Sequence, residues 1–282
     1  GHLVKEIDIF GGAMARAADD AAIHYKTLNA SKGPAVKATR VQCDRWLYKK
    51  SIRKIVEQQK NLDLYSDGVV DFVIKEDSIA GVVSGGGVIF KSIAVVVTAG
   101  TFLNGQIFVG ATTSKGGRAG EAPSTELARK LESYGFRCSR LKTGTPPRLD
   151  GRSINFSILT EQPGESPVEA KFSFWPNEHQ KNLNKQLSCW ISQTNTKTHE
   201  IIKDSIHLSP MYNGSIKSSG PRYCPSIEDK VVRFQERSSH QIFLEPEGLN
   251  TYEIYPNGIS TSLPFDCQVK MVNSIEGLEK AH

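Results

Sequence analysis

The stretch GPRYCPSIEDK, residues 220–230, sets a cysteine between Tyr223 and Pro225, two residues after Arg222. Pro225 or Ser226 opens a helical pattern that Ile227, Lys230, Val231 and Phe234 continue, and Ser226 with Asp229 has the spacing of a capping box, Asp standing for the usual Glu. A thiol just before a helix start meets unpaired N–H groups and the positive end of the helix dipole, which favour the thiolate. Arg222 adds a second cationic neighbour. Cysteine is also a small apolar filler, and spacing alone leaves both roles open for Cys224. The same backbone N–H groups, flanked by Arg222 and Lys230, suit a phosphate. A dinucleotide and a reactive thiol are compatible there, although an ordinary capped helix accounts for the same residues.

Other segments offer weaker chemistry. Between residues 30 and 54, Lys32, Lys37, Arg40, Arg45, Lys49, Lys50, Arg53 and Lys54 face Asp44 as the lone acid, a pattern that suits a phosphate backbone or a solvated helix face. Glu245 and Glu247 bracket a proline in LEPEG, as acid/base groups or as a surface turn. Asn195, Thr196 and His199 suit a pocket lining or a polar loop, and the histidines at 24, 179, 199, 207 and 240 have no metal-ligand spacing. AVVVTAGTFLNG (94–105) resembles the strand-then-glycine turn at which a backbone approaches a dinucleotide, but the GxGxxG fingerprint is absent and the GGG at 85–87 belongs to a hairpin.

The elements that must position these groups follow from periodicity. Residues 3–25 and 42–59 read as helices, the second with Leu47, Ile52, Ile55 and Val56 on one face and Arg45, Lys49 and Arg53 on another. The period then falls to two: LDLY, VVDFVIK, SIAGVV and GVIF read as short strands. They lead to AVVVTAG, a continuous apolar run expected to be a strand buried on both faces of a parallel sheet. TELARKLESYG reads as a helix with Ser124 at its N-cap and Gly135 at its stop. KTGTPPRLDG (142–151) breaks regular structure, so a domain boundary is expected near 145, followed by short strands at SCWIS and HQIFLEP and a helix over 226–236.

The 282 residues suffice for one large or two ordinary domains. With 38% apolar and 23% charged residues the composition is that of a soluble globular protein, and no run of about 18 apolar residues offers a membrane span. Five well-spaced cysteines without CxxC pairs argue for a reducing compartment rather than a disulfide framework or zinc site. The opening GHLVKEIDIFGG and the end SIEGLEKAH suggest a fragment.

In chain order, GHLVKEID, LNASKGPAVKATR, TAGTFLNG, GGRAGEAPS, RLKTGTPPR, GPRYCPSIEDK, HQIFLEPEGL and EIYPNGISTSLP resemble the GidA family, also called MnmG. Its members are FAD-dependent enzymes that install carboxymethylaminomethyl groups at C5 of the tRNA wobble uridine. The resemblance implies an α/β fold: an incomplete Rossmann-like FAD-binding domain with a β-meander over 1–145, and an inserted α+β NADH-binding domain over 146–282. It implies FAD recharged by NADH, methylene-tetrahydrofolate as carbon donor, tRNA and the GTPase MnmE as partners, a homodimer, and a location in the bacterial cytoplasm or an organelle of bacterial descent.

Residue by residue, the resemblance gives NADH binding to Gly220, Pro221, Arg222, Tyr223, Cys224, Pro225, Ser226, Ile227, Glu228, Asp229, Lys230, Val231, Val232, Arg233 and Phe234, where Val232 replaces a frequent Met. Cys224 matches one of two catalytic cysteines. Val69, through its backbone, and Ser124 match flavin contacts. The family's Rossmann fingerprint, its other cysteine and its helical C-terminal part have no counterpart here, and Ser192-Gln193 stand where the family often has Thr-His. Two other readings are a folate- and FAD-dependent tRNA uridine methyltransferase and a non-catalytic RNA-binding scaffold of the same fold.

Overall fold

Two glycines end the first helix. In the computed structural model, which describes residues 1–118, 120–165, 171–175, 185–216 and 225–282, helix α1 (His2–Ile9) is followed by Gly11 at φ +84°, and α2 (Ala13–Ala21) begins after Gly12. The helix expected to reach residue 25 stops at Ala21. Residues 22–28 are instead strand β1 (Ala22–Leu28), paired antiparallel with β2 (Ala38–Cys43). A short apolar run such as Ala22–Tyr25 suits either state. The backbone partner at 38–43, with Ile23 and Tyr25 fully buried, decides for the strand.

Asp44 then caps α3 (Arg45–Glu57), its carboxylate accepting from the N–H groups of Trp46 and Leu47. Leu47, Ile52, Ile55 and Val56 are half-buried, and Ser51 is the buried residue of the helix. The meander consists of β3 (Val69–Lys75), β4 (Ser78–Ser84) and β5 (Ile89–Lys91), all antiparallel. Glu76 and Asp77, both at positive φ, make its first turn. LDLY lies outside any strand.

The run AVVVTAG is a second correction. Residues 94–100 form no strand, and Val96 is 85% exposed. A strand buried on both faces needs a neighbour on each edge, and no strand of the described residues pairs with this one. The pairings between strands of the described residues are antiparallel, and the parallel contact is an isolated bridge from Leu103 to Ser124.

After the hairpin of β6 (Gln106–Val109) and β7 (Thr112–Lys115), α4 (Thr125–Ser133) packs on β3. Gly135, at φ +86°, ends it. The remaining strands are β8 (Leu149–Asp150), β9 (Thr160–Gln162), β10 (Cys189–Gln193), β11 (Gln241–Pro246) and β12 (Glu253–Asn257), which form one antiparallel sheet in the order β8-β12-β11-β10-β9. Helices α5 (Thr196–Ser205), α6 (Ile227–Arg233) and α7 (Phe265–Asn273) accompany it. Ile202, Ile227, Val231, Ile242, Leu244, Ile259, Leu263 and Met271 form its core. The architecture is mixed α and β.

Polar contacts join the N-terminal elements to this sheet region. Leu187 N–H donates to the Ile23 carbonyl, and Glu165 N–H to that of Tyr25. The buried carboxylates of Asp8 and Asp19 hold the 172–174 backbone: Asp19 accepts from Phe172 and Ser173 N–H, and Asp8 from Phe174 N–H and the Ser173 hydroxyl.

Candidate functional site

The capping box stands as its spacing predicts. Ser226 Oγ accepts from Asp229 N–H at 3.2 Å, and Asp229 Oδ2 accepts from Ser226 N–H at 3.0 Å. Ile227 N–H donates to the Ser260 carbonyl at 2.8 Å. The amides of Ser226, Ile227 and Asp229, which a phosphate would seek, are thus engaged within the chain. Gly220, Pro221, Arg222, Tyr223 and Cys224 lie outside the described residues.

The acids of α6 face inward. Asp229 also accepts from the Tyr212 hydroxyl at 3.0 Å and meets Lys142 Nζ at 3.4 Å. Burial works against its charge, but the Ser226 hydrogen bonds, Lys142 and Tyr212 outweigh it and hold the carboxyl below its ordinary range. Glu228 is fully buried; its Oε1 accepts from Ser209 and Thr261 hydroxyls and from Ser262 N–H, while Oε2 has no partner. Ser226, Ile227, Glu228, Asp229 and Val231 therefore build the scaffold, and Pro225, Lys230, Val232, Arg233 and Phe234 reach the surface.

On that surface side, Pro225, Lys230, Phe234, Arg237, Ser239, His240, Gln241 and Phe243 line an open cavity of about 340 Å³. A second cavity of about 260 Å³, lined by Thr196, His199, Lys203 and Glu236 among others, shares Arg237 as a wall. The imidazoles of His199 and His240 stack between them with centroids 5.2 Å apart. Thr194 bridges the pair: its Oγ1 lies 2.8 Å from His199 Nε2 and accepts from His240 N–H. Burial lowers the pKa of both imidazoles, and nearby Lys230 and Arg237 lower that of His240 further. The chain reading offered Thr196 and His199 as pocket residues, and they line the smaller cavity. Asn195 instead caps α5. Arg237, His240 and Phe243 were not expected to share a pocket, because a helix end and a strand carry no local signal of which side chains meet.

The thiols of Cys43 and Cys189 are not set up for attack. Burial pushes Cys43 up to about 12 and Cys189 up to about 11. Cys189 Sγ donates to Gln42 Oε1 at 3.1 Å and lies 3.7 Å from His24 Nδ1, which faces the Leu187 carbonyl at 2.9 Å.

The two flavin candidates sit on elements that touch. Lys130 of α4 pairs with Asp71 of β3 at 2.6 Å, and Tyr134 meets Phe72 edge-on at 6.1 Å. Val69 begins β3, and Ser124 stands at the N-cap of α4 without using its hydroxyl to cap the helix. Ser124 Oγ is thereby left for an outside acceptor or donor. That arrangement fits a phosphorylated cofactor at this helix start.

The basic segment divides. Arg40 pairs with Glu245 and Arg45 with Glu247 and Glu253, while Arg148 reaches the last two as well. Glu245 and Glu247 are thus ion-pair partners rather than an acid/base couple. Arg53 bonds Glu57 on its own helix, and Lys49 lies over Trp46. Among the described residues Lys32, Lys37, Lys50 and Lys54 have no ion-pair partner.

A family profile described as "Glucose inhibited division protein A" matches residues 1–282. The structure of Aquifex aeolicus GidA in its form I crystal is similar at TM-score 0.90 and 48% identity, covering 99% of this chain and 47% of that one. The form II crystal gives TM-score 0.88 and 46% identity, covering 99% and 45%. The chain thus spans about half the length of the solved structures it matches.

Proposed function

This chain belongs to the GidA family, and on that footing we propose that the whole protein is an FAD- and NADH-dependent tRNA-modifying enzyme. Its reaction adds a carboxymethylaminomethyl group at C5 of the wobble uridine, together with the GTPase MnmE and with methylene-tetrahydrofolate as carbon donor. It works as a homodimer in the cytoplasm or an organelle of bacterial descent. No helix of the described residues is long and apolar enough to cross a membrane. The observation that carries this reading is the family match across all 282 residues.

In this reading residues 1–145 are the FAD-binding part and residues 146–282 an inserted NADH-binding domain. Val69, through its backbone, and the Ser124 hydroxyl hold FAD. Residues Gly220 to Phe234 take NADH, with the buried half of α6 fixing the shape that its exposed half presents. FAD, recharged by NADH, supplies the reducing equivalents. Cys224 provides a thiol at the uridine site and acts with a second cysteine from the remaining length of the protein. That remaining length also supplies the sheet neighbours of residues 94–100, whose exposed valines await partners.

The full-length protein tests the reading. A yellow protein whose flavin is bleached by NADH supports it, and colourless protein with undiminished tRNA affinity would favour a scaffold. Cys224→Ser is expected to abolish modification with FAD still bound. Retained activity would remove Cys224 from the reaction.

A further inference from the structure

Lys230 carries a half-buried ammonium whose one hydrogen bond goes to a neutral acceptor, the Gly258 carbonyl at 2.9 Å. No carboxylate of the described residues lies within ion-pair distance of it. Arg237 likewise has no acidic partner, and its guanidinium lies 5.5 Å over the Phe234 ring. Both cations line the 340 Å³ cavity, and no acidic side chain of the described residues does. Desolvating a cation without an anion is costly, and half-buried Lys230 is in that position, with exposed Arg237 beside it. Beside the two cations is His240, buried, with Nε2 lacking any partner. Buried polar atoms without partners are rare, and one in a cavity wall invites a ligand group. Phe234 and Phe243 add aromatic surface, and Ser239 and Gln241 add polar groups.

We propose that this cavity, at the C-terminal end of α6 rather than its N-terminus, binds a phosphoryl group of a nucleotide through Lys230 and Arg237, with Phe234 and Phe243 offering their rings to a planar base. The amides of Ser226, Ile227 and Asp229 are spent within the chain, whereas these cations meet no acid of the described residues. The choice of NADH as that nucleotide rests on the reading of Gly220–Phe234 as its binding segment. Arg237, His240 and Phe243 extend the site beyond that segment.

The test titrates full-length protein with NADH, following its fluorescence, in the presence and absence of inorganic pyrophosphate. Arg237→Gln, on an exposed residue, is expected to weaken NADH binding about tenfold. The double variant Lys230→Gln/Arg237→Gln is expected to weaken it about a hundredfold, as loss of charge-assisted hydrogen bonds to phosphate implies. Pyrophosphate is expected to displace NADH from the unaltered protein. Equal NADH affinity in a variant with an unchanged melting curve overturns the cavity and leaves the dinucleotide reading standing. Pyrophosphate binding that is lost in the variants, with no NADH binding in any of them, keeps the phosphoryl site and overturns the choice of NADH. Binding of neither overturns both.

Discussion

Lys142 and Asp229 form a buried ion pair at 3.4 Å that ties the KTGTPPR segment to α6. Removing one member leaves the other as an uncompensated buried charge, the costly way to break such a pair. Lys142→Met is therefore expected to lower stability by about 3 kcal/mol, read from denaturant midpoints at unchanged m-value. A loss below about 0.5 kcal/mol, the size of an ordinary surface substitution, would show that the pair is already solvated.

The same carboxylate makes a pH signature. Asp229 is held below its ordinary pKa, so its contribution is fully present above the unfolded value near 3.9 and is lost as pH falls through the lower folded value. Asp229→Asn lacks that contribution at every pH. The stability gap between the two proteins is expected to be constant at neutral pH and to narrow below about pH 4. A gap that stays level down to pH 2 would mean that the lowered pKa is not real.

Arg40 and the buried Glu245 pair across two segments far apart in sequence, and Asn257 Nδ2 also donates to Glu245 at 3.2 Å. Arg40→Met strands that carboxylate, at an expected cost of about 1–3 kcal/mol. Adding Glu245→Gln to the same protein is expected to return part of the loss, giving a coupling of at least about 0.5 kcal/mol in a double-mutant cycle. Strict additivity would show that the two do not interact. The neighbouring pairs of Arg45 and Arg148 are more exposed and are expected to contribute less.

What was legible in the chain was local. The capping box of Ser226 and Asp229, the half-buried face of α3 and the stop at Gly135 all depend on residues within a few positions of one another. What failed depended on distant partners. Residues 22–28 became a strand because residues 38–43 lie beside them, and residues 94–100 did not become one because no strand of the described residues pairs with them. The cavity shows the same limit, since Lys230 of α6 and Phe243 of β11 come to one wall only in the folded chain. The basic segment read as a single patch, yet Arg40 and Arg45 are claimed by acids some two hundred residues away.

The cysteines make a sharp chemical contrast. Cys138 is exposed, Cys189 and Cys267 are buried, and Cys43 is half-buried with its thiol pushed up to about 12. Brief alkylation of the native protein at pH 8, read by peptide mass spectrometry, is expected to mark Cys138 and to spare Cys43, Cys189 and Cys267 until denaturant is added. Early marking of Cys189 would mean that the His24–Gln42 surroundings open in solution.

The proposed tRNA substrate gives the remaining lysines of α3 a testable role. Arg53 gives its charge to Glu57 only through an exposed i,i+4 pair, worth about 0.3–0.5 kcal/mol, which a phosphate can outcompete. Lys49, over Trp46, and the unpaired Lys50 and Lys54 share the exposed side of this helix. Reversing charge with Lys49→Glu and Arg53→Glu in the full-length protein is expected to weaken tRNA binding. The log–log salt slope should become shallower by about one to two units, since each lost phosphate contact removes roughly 0.7–0.9. Because both side chains are exposed, the melting temperature should hold, so a loss of affinity reports the contact rather than the fold. Unchanged affinity with an unchanged slope would take α3 out of the tRNA-binding surface.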